Sequence, residues 1–233
     1  MKKIIKNIII FLIPIELFEH AIFEFRSKLG RLLSSNIILN INNNNYINLG
    51  CGNNYIGNFI NIDFYGTKNI DYGLDLRFPF KIESYSIDGI FSEHTLEHLS
   101  HHEVENALSE CYRILKTKGK IRIIVPDLSI FIKKYCSNDD MWFQTWQDVV
   151  LEDPSRHHMK KYFTKMFAIN FTASYNFHKS CWDFESLENA LSIHGFKNIK
   201  KCEYNIGTQE LLIDSDSEDR KLVSIYVEAE KGS

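Results

Sequence analysis

Tyr46-Ile-Asn-Leu-Gly-Cys-Gly-Asn-Asn-Tyr-Ile-Gly-Asn-Phe-Ile-Asn-Ile-Asp63 reads as a short apolar strand, a glycine turn, and a second apolar strand that ends on a carboxylate. Gly50 and Gly52 lack Cβ, so the main chain after the first strand can turn tightly and let a ligand approach the backbone. Asp63 closes the second strand, where a carboxylate accepts hydrogen bonds from both hydroxyls of a ribose. The stretch therefore predicts a nucleoside-cofactor site.

Working outward, residues 42–45 are a polar break, and the chain after them alternates strand and helix. Apolar strands are expected at 46–49, at 59–62 and, after the turn-like Glu83-Ser-Tyr-Ser86, at 87–91. Residues 102–115 place Val104, Ala107, Leu108, Cys111, Tyr112 and Leu115 at helical spacing; Thr117-Lys-Gly119 ends that helix and 121–125 is a buried strand. Such alternation indicates a parallel sheet with crossover helices. Residues 128–180 are an aromatic-rich insertion, read equally as a substrate lid or as core filling beneath added helices. Asp183 then caps a helix carrying Leu187, Ala190, Leu191 and Ile193, which Gly195 ends. Residues 196–204 and 222–230 read as an antiparallel pair at the sheet edge, joined by the acidic loop 214–219.

The chain has 233 residues, 44% hydrophobic and 24% charged, as expected for one main α/β domain with additions. A net charge of −3 gives no global reason to expect nucleic-acid binding. The five cysteines, Cys51, Cys111, Cys136, Cys181 and Cys202, include no Cys-x-x-Cys pair, which fits a reduced cytoplasmic protein without a zinc site; the adjacent pairs His101-His102 and His157-His158 read as solvated surface. Lysines and an apolar run open the N-terminal segment, but the run is too short to span a bilayer and lacks a small-residue cleavage site. Leu17, Phe18, Ala21, Ile22, Phe25, Leu29, Leu32 and Leu33 recur at helical spacing, which predicts that residues 1–41 form a helical cap packed on the core or on the acceptor pocket. Peripheral contact with an anionic inner membrane face is the alternative, because Lys2, Lys3 and Lys6 flank the apolar run.

At this point the chain resembles the class I S-adenosylmethionine-dependent methyltransferases, in order from Ile47 to the C-terminus. Leu49-Gly-Cys-Gly52 is similar to the family's first glycine motif, Asp63 to its ribose-binding acid, and Asp75-Leu-Arg-Phe-Pro-Phe80 to the segment that holds adenine. Asp88-Gly-Ile-Phe-Ser-Glu-His-Thr-Leu-Glu-His-Leu99 resembles the fourth strand and following helix, and the stretch from Tyr112 to Asp127 the next helix, turn and fifth strand. The resemblance implies a Rossmann-like α/β fold, a mostly parallel seven-stranded sheet with an antiparallel C-terminal edge pair. Residues 42–233 would be the S-adenosylmethionine-binding domain, with 128–180 on the acceptor side. It implies that Gly50, Cys51, Gly52 and Asn53 meet the methionine part of S-adenosylmethionine, Asp63 the ribose, Asp75 and the Leu76 backbone the adenine, and that Ser92 and Glu93 lie near the transferred methyl. S-adenosylhomocysteine would be the product. A variant group with "LGCGNN…G…N-x-D" and "SEHxLEHL" is closer, and its members accompany bacterial surface-polysaccharide and capsule pathways. That implies a small polar acceptor: a sugar, a sugar nucleotide, or a phosphate- or phosphoramidate-type glycan precursor.

Methyl transfer from a sulfonium is an in-line displacement, so the protein chiefly aligns the acceptor and excludes water. An unactivated hydroxyl also needs a base, and His94 and His178 are the candidates. Asp127 is a candidate for acceptor hydroxyls, Lys179 for an anionic acceptor together with Lys160, Lys161 and Lys165, while Glu97 is read as loop support and His98 as a packing residue. Two other readings compete: a non-catalytic cofactor-binding scaffold, and an NAD-dependent oxidoreductase. The latter's G-x-G-x-x-G pattern would need glycine where Tyr55 stands and an acid about 20 residues further on, whereas Asp63 arrives sooner. That short spacing also predicts a truncated or irregular first helix.

Overall fold

The computed structural model describes residues 15–33, 39, 45–64 and 70–232. Seven strands, β1 (Tyr46–Leu49), β2 (Ile60–Asp63), β3 (Tyr72–Gly73), β4 (Ile87–Glu93), β5 (Leu115–Pro126), β6 (Phe196–Cys202) and β7 (Ser224–Lys231), form one sheet of order β3-β2-β1-β4-β5-β7-β6. β1 to β5 run parallel, and β7 is antiparallel to both β5 and β6. This is the expected mostly parallel sheet with an antiparallel edge pair. The 203–223 connection is more ordered than an acidic loop, holding a short helix at Glu210–Ile213 and a 3-10 turn at Glu218–Arg220.

The longer helices in chain order are α1 (Ile15–Leu33), α2 (His101–Ile114), α3 (Leu128–Cys136), α4 (Asp140–Val150), α5 (Lys165–Ser174) and α6 (Phe184–Ile193). α2 begins where Ser100 and Glu103 close a reciprocal capping box, and its Val104, Ala107, Leu108, Cys111 and Ile114 are buried. Asp183 and Ser186 form the same device at α6, and Gly195 ends it at φ 90. Leu187 and Leu191 of α6 join the α2 residues and Ile47, Leu49, Ile62, Ile90 and Ile123 of the sheet in the main core. Alternate sheet residues, Tyr46, Phe91, Ile124 and Tyr226, face the other way, against Phe59 and Leu212. Where the spacing of Gly50 and Asp63 predicts a truncated or irregular first helix, there is none: residues 50–59 are turns and irregular chain between β1 and β2.

The N-terminal stripe departs from expectation. Leu17, Ile22, Phe25, Leu29 and Leu32 of α1 are exposed, Phe25 at 67% and Leu32 at 73%, so this apolar face does not pack on the core. The helix docks through a different face. Phe23 stacks on Phe64 at 4.2 Å, Glu24 pairs with Arg77, and Ser27 donates its hydroxyl to Asp75. No helix among the described residues is long and apolar enough to cross a membrane.

Candidate active site

The carboxyl ends of β1 and β4 open into a cleft of about 690 Å³, the position at which open parallel sheets bind ligands. Its floor is the turn after β1. The Gly50 and Cys51 amides both donate to the Ile62 carbonyl, at 2.8 and 3.0 Å, which bends the chain back over β2. Gly50 (φ 73) and Gly52 (φ 51) are left-handed. A Cβ on Gly50 would lie 2.2 Å from Thr95 Oγ1, so this glycine serves close packing of two strand ends. A Cβ on Gly52 would meet nothing within 4 Å, so this glycine is the one that leaves backbone open to a ligand. Asp63 anchors the turn by accepting the Gly52 amide at 2.8 Å.

On the far wall stand His94, Glu97, His98 and His178, with Trp146, Phe171 and Tyr175 from the insertion and Arg156 and Arg220 beside them. His94 follows β4 at φ 48; its amide donates to the Ile124 carbonyl at 2.8 Å, and its Nε2 lies 2.8 Å from Ser224 Oγ. Burial, reinforced by the Arg220 charge, pushes its imidazole well below the ordinary histidine range. Glu97, 1% exposed, is pushed up to about 8 by burial. His178 is lowered by burial, against the opposing effect of its 2.8 Å contact from Nδ1 to the Thr172 carbonyl. Glu93 is raised by burial despite hydrogen bonds from the amide and hydroxyl of Ser217. Arg156 lies over Tyr175 at 5.5 Å and over Phe171 at 5.9 Å, and its Nε makes no hydrogen bond among the described residues.

The cleft brings together Gly50, Cys51, Gly52, Asn53, Glu93, His94 and His178 of the residues expected from sequence. Others lie elsewhere. Asp75 is buried, and its carboxylate is engaged by Arg77 and Ser27; burial alone would raise it, but those partners hold it below the ordinary range. It is therefore a strut for α1 rather than a lining residue, and Leu76 is buried beside it in the core. Ser92 is buried in β4. Asp127 caps α3 through the Ser129 amide and lies 3.7 Å from Lys201, while Lys179 reaches Glu103, so neither lines the cleft. Lys160 and Lys165 are likewise paired, with Glu152 and Asp140. The cationic groups that do reach the cleft, Arg156 and Arg220, did not stand among the catalytic or binding candidates read from the sequence. Neither did Glu97, whose importance comes from its depth.

Residues 73–123, from the end of β3 into β5, match the family model described as a methyltransferase domain. No curated protein sequence matches the chain. Among solved structures, a SAM-dependent methyltransferase from Archaeoglobus fulgidus is 18% identical, with 94% of this chain and 100% of that one covered and a TM-score of 0.45. A possible histamine N-methyltransferase from Thermotoga maritima is 14% identical over 90% of this chain and 88% of that one, at a TM-score of 0.45. Phosphoethanolamine N-methyltransferase 2 of Haemonchus contortus, in complex with S-adenosyl-L-methionine, is 13% identical at a TM-score of 0.44; the alignment covers 88% of this chain but only 51% of that one. The matched segment, set in a Rossmann-like, mostly parallel seven-stranded sheet, makes this part of the chain similar to an S-adenosylmethionine-dependent methyltransferase domain.

Proposed function

We propose that the chain methylates an oxygen of a small anionic sugar derivative, such as a sugar nucleotide or sugar phosphate serving as a precursor of cell-surface polysaccharide. The observation that supports it is the composition of the acceptor wall, where two arginines flank a buried histidine and glutamate cluster. Guanidinium groups match phosphate and carboxylate oxygens in shape and charge, and Arg156, against the Phe171 and Tyr175 rings and 3.9 Å from Asp153, has an Nε that makes no hydrogen bond among the described residues. The sugar part of the proposal comes from the resemblance of Ser92 to Leu99 and Leu49 to Asn54 to proteins of surface-glycan pathways.

The glycine turn fits the cofactor, since Gly52, with open space where a side chain would stand, and the Asp63 carboxylate that its amide donates to meet at one place. S-adenosylmethionine supplies a methyl group on a sulfonium; an O–C bond forms as the S–C bond breaks, and the electron pair stays on sulfur. The protein must place the acceptor oxygen in line and keep water out. Trp146, Phe171 and Tyr175 supply the apolar wall for that. His178 is positioned to activate the acceptor. Its Nδ1 is committed to the Thr172 carbonyl as donor, which leaves the lone pair on Nε2. Low basicity keeps that ring neutral at pH 7. His94 has one nitrogen on Ser224 and the other 3.4 Å from Glu97, so it orients the wall.

The test is turnover on a panel of sugar phosphates and sugar nucleotides with methyl-labelled cofactor, read by mass spectrometry. Methylated product is expected from anionic members of the panel. Arg156→Ala should raise KM for them by roughly tenfold to a hundredfold, the value of a charged hydrogen bond. His178→Ala should lower kcat by about 10²–10⁴. Absence of product from a preparation that binds S-adenosylhomocysteine would favour the scaffold reading.

A further inference from the structure

Glu97, His98 and His178 each bring one ligand atom to within 4.8 Å of the other two, on the acceptor wall of the cleft. Glu97 and His98 are neighbours on the 3-10 turn Leu96–His98, and His178 arrives from the far end of the insertion. The two segments are pinned together at this point, because the amides of Lys179 and Ser180 both donate to the Glu97 carbonyl, at 2.7 and 3.2 Å.

Three observations give this cluster the character of a cation site. The Glu97 carboxylate is 1% exposed and accepts no hydrogen bond at either oxygen among the described residues. His94 Nδ1 stands 3.4 Å from its Oε1, a contact without hydrogen-bond geometry. Buried carboxylates otherwise carry donors or a metal. The second observation is the 2.8 Å contact of His178 Nδ1 with the Thr172 carbonyl, the outer-sphere bond that fixes a histidine's tautomer and presents Nε2 as a ligand. The third is access: both histidines line the cleft and are partly exposed, which leaves room for a non-protein ligand on an ion.

Two imidazoles and one carboxylate form the donor set of catalytic zinc and of non-haem iron sites with open positions. We propose that Glu97, His98 and His178 bind a divalent first-row transition ion, zinc being the closest match, and that the acceptor hydroxyl occupies an open position on it. The donor atoms then close to the separation of about 3.4 Å that metal bonds of about 2.1 Å impose in a tetrahedral site. The use of the ion rests on the methyl-transfer reading; the binding of the ion does not. In the loaded enzyme the His178 lone pair is a ligand, and the ion takes over activation. It lowers the pKa of the bound hydroxyl, whose proton passes to water, and the resulting oxygen forms the O–C bond as the S–C bond breaks.

The experiment titrates chelator-treated protein with Co²⁺, followed by visible absorption, and with Zn²⁺ by calorimetry; S-adenosylhomocysteine is titrated in parallel. One Co²⁺ per chain is expected, displaced by Zn²⁺. Glu97→Gln and His178→Ala should each weaken both ions by more than about a hundredfold, beyond the loss typical of an outer-sphere partner, while S-adenosylhomocysteine binding stays within about threefold of wild type. No Co²⁺ binding, or equal affinity in wild type and both variants, overturns the site. Ion binding with the expected variant pattern but no S-adenosylhomocysteine binding upholds the site and refutes the methyl-transfer reading. The reverse result refutes the site alone.

Discussion

Gly50 and Gly52 share a left-handed backbone for different reasons, and the difference is measurable. Gly50→Ala places a methyl against Thr95, whose Oγ1 lies among the Leu49, Gly50 and Glu93 carbonyls at 3.1–3.3 Å, donates its one proton to that group and so cannot move cheaply. Overpacking and the left-handed penalty together predict a loss of roughly 2–4 kcal/mol in urea unfolding. Gly52→Ala has open space and should lose only about 1–2 kcal/mol of stability, with the larger effect on S-adenosylhomocysteine affinity. An equal stability loss at both positions would contradict the assignment. The glycine turn and Asp63 were legible in sequence because glycine spacing states a backbone requirement. Glu97 was legible only as loop support: its depth depends on the chain around 178–180, which is far away in sequence and whose Lys179 and Ser180 amides donate to its carbonyl.

At the scale of elements, α1 shows that periodicity predicts a helix better than it predicts the face that docks. The apolar stripe was legible, yet the contacts holding α1 are Phe23 on Phe64 and the cluster Glu24, Ser27, Asp75 and Arg77. Polar partners distant in sequence leave no pattern to read. Arg77 holds the Glu24 carboxyl below its ordinary 4.5, and its hydrogen bonds, with that of Ser27, outweigh burial at Asp75 to hold that carboxyl below 3.8. Depressed carboxyl values contribute stability above the unfolded values, and that contribution is lost as pH falls through the folded ones. Hydrogen exchange should therefore find α1 amides equally protected, relative to intrinsic rates, from about pH 7 to 5 and progressively and selectively less protected as pH falls below about 4. Arg77→Ala should expose them at neutral pH. Unchanged protection of α1 in that variant would contradict the docking contacts.

Across the whole molecule, Arg122 ties the antiparallel edge to the cleft. It lies in the middle of β5, fully buried, and bonds Asp216, Glu228 and the carbonyls of Glu203 and Ile206. Ser217, next to Asp216, holds Glu93 on the cleft rim. Removing the cation strands two carboxylates, so Arg122→Met should cost roughly 3–5 kcal/mol. At about 2–4 °C per kcal/mol for a chain of this size, that is a fall in Tm of about 6–20 °C. A fall of less than about 3 °C would contradict the role of this ion cluster. That the sheet is mainly parallel with an antiparallel final pair was legible in the alternation of apolar runs, because parallel strands need crossovers and the final pair does not. The acceptor wall did not follow, since it gathers residues from β4, the insertion and the 217–223 segment, which only the folded sheet brings together.

The central claim is a compact S-adenosylmethionine site built on the turn from Gly50 to Asp63, and calorimetric titration with S-adenosylhomocysteine and with NAD tests it most directly. The account predicts one S-adenosylhomocysteine bound per chain, affinity weakened at least about tenfold in Asp63→Ala, the worth of a charged hydrogen bond, and no heat from NAD. Binding of NAD without S-adenosylhomocysteine would contradict it.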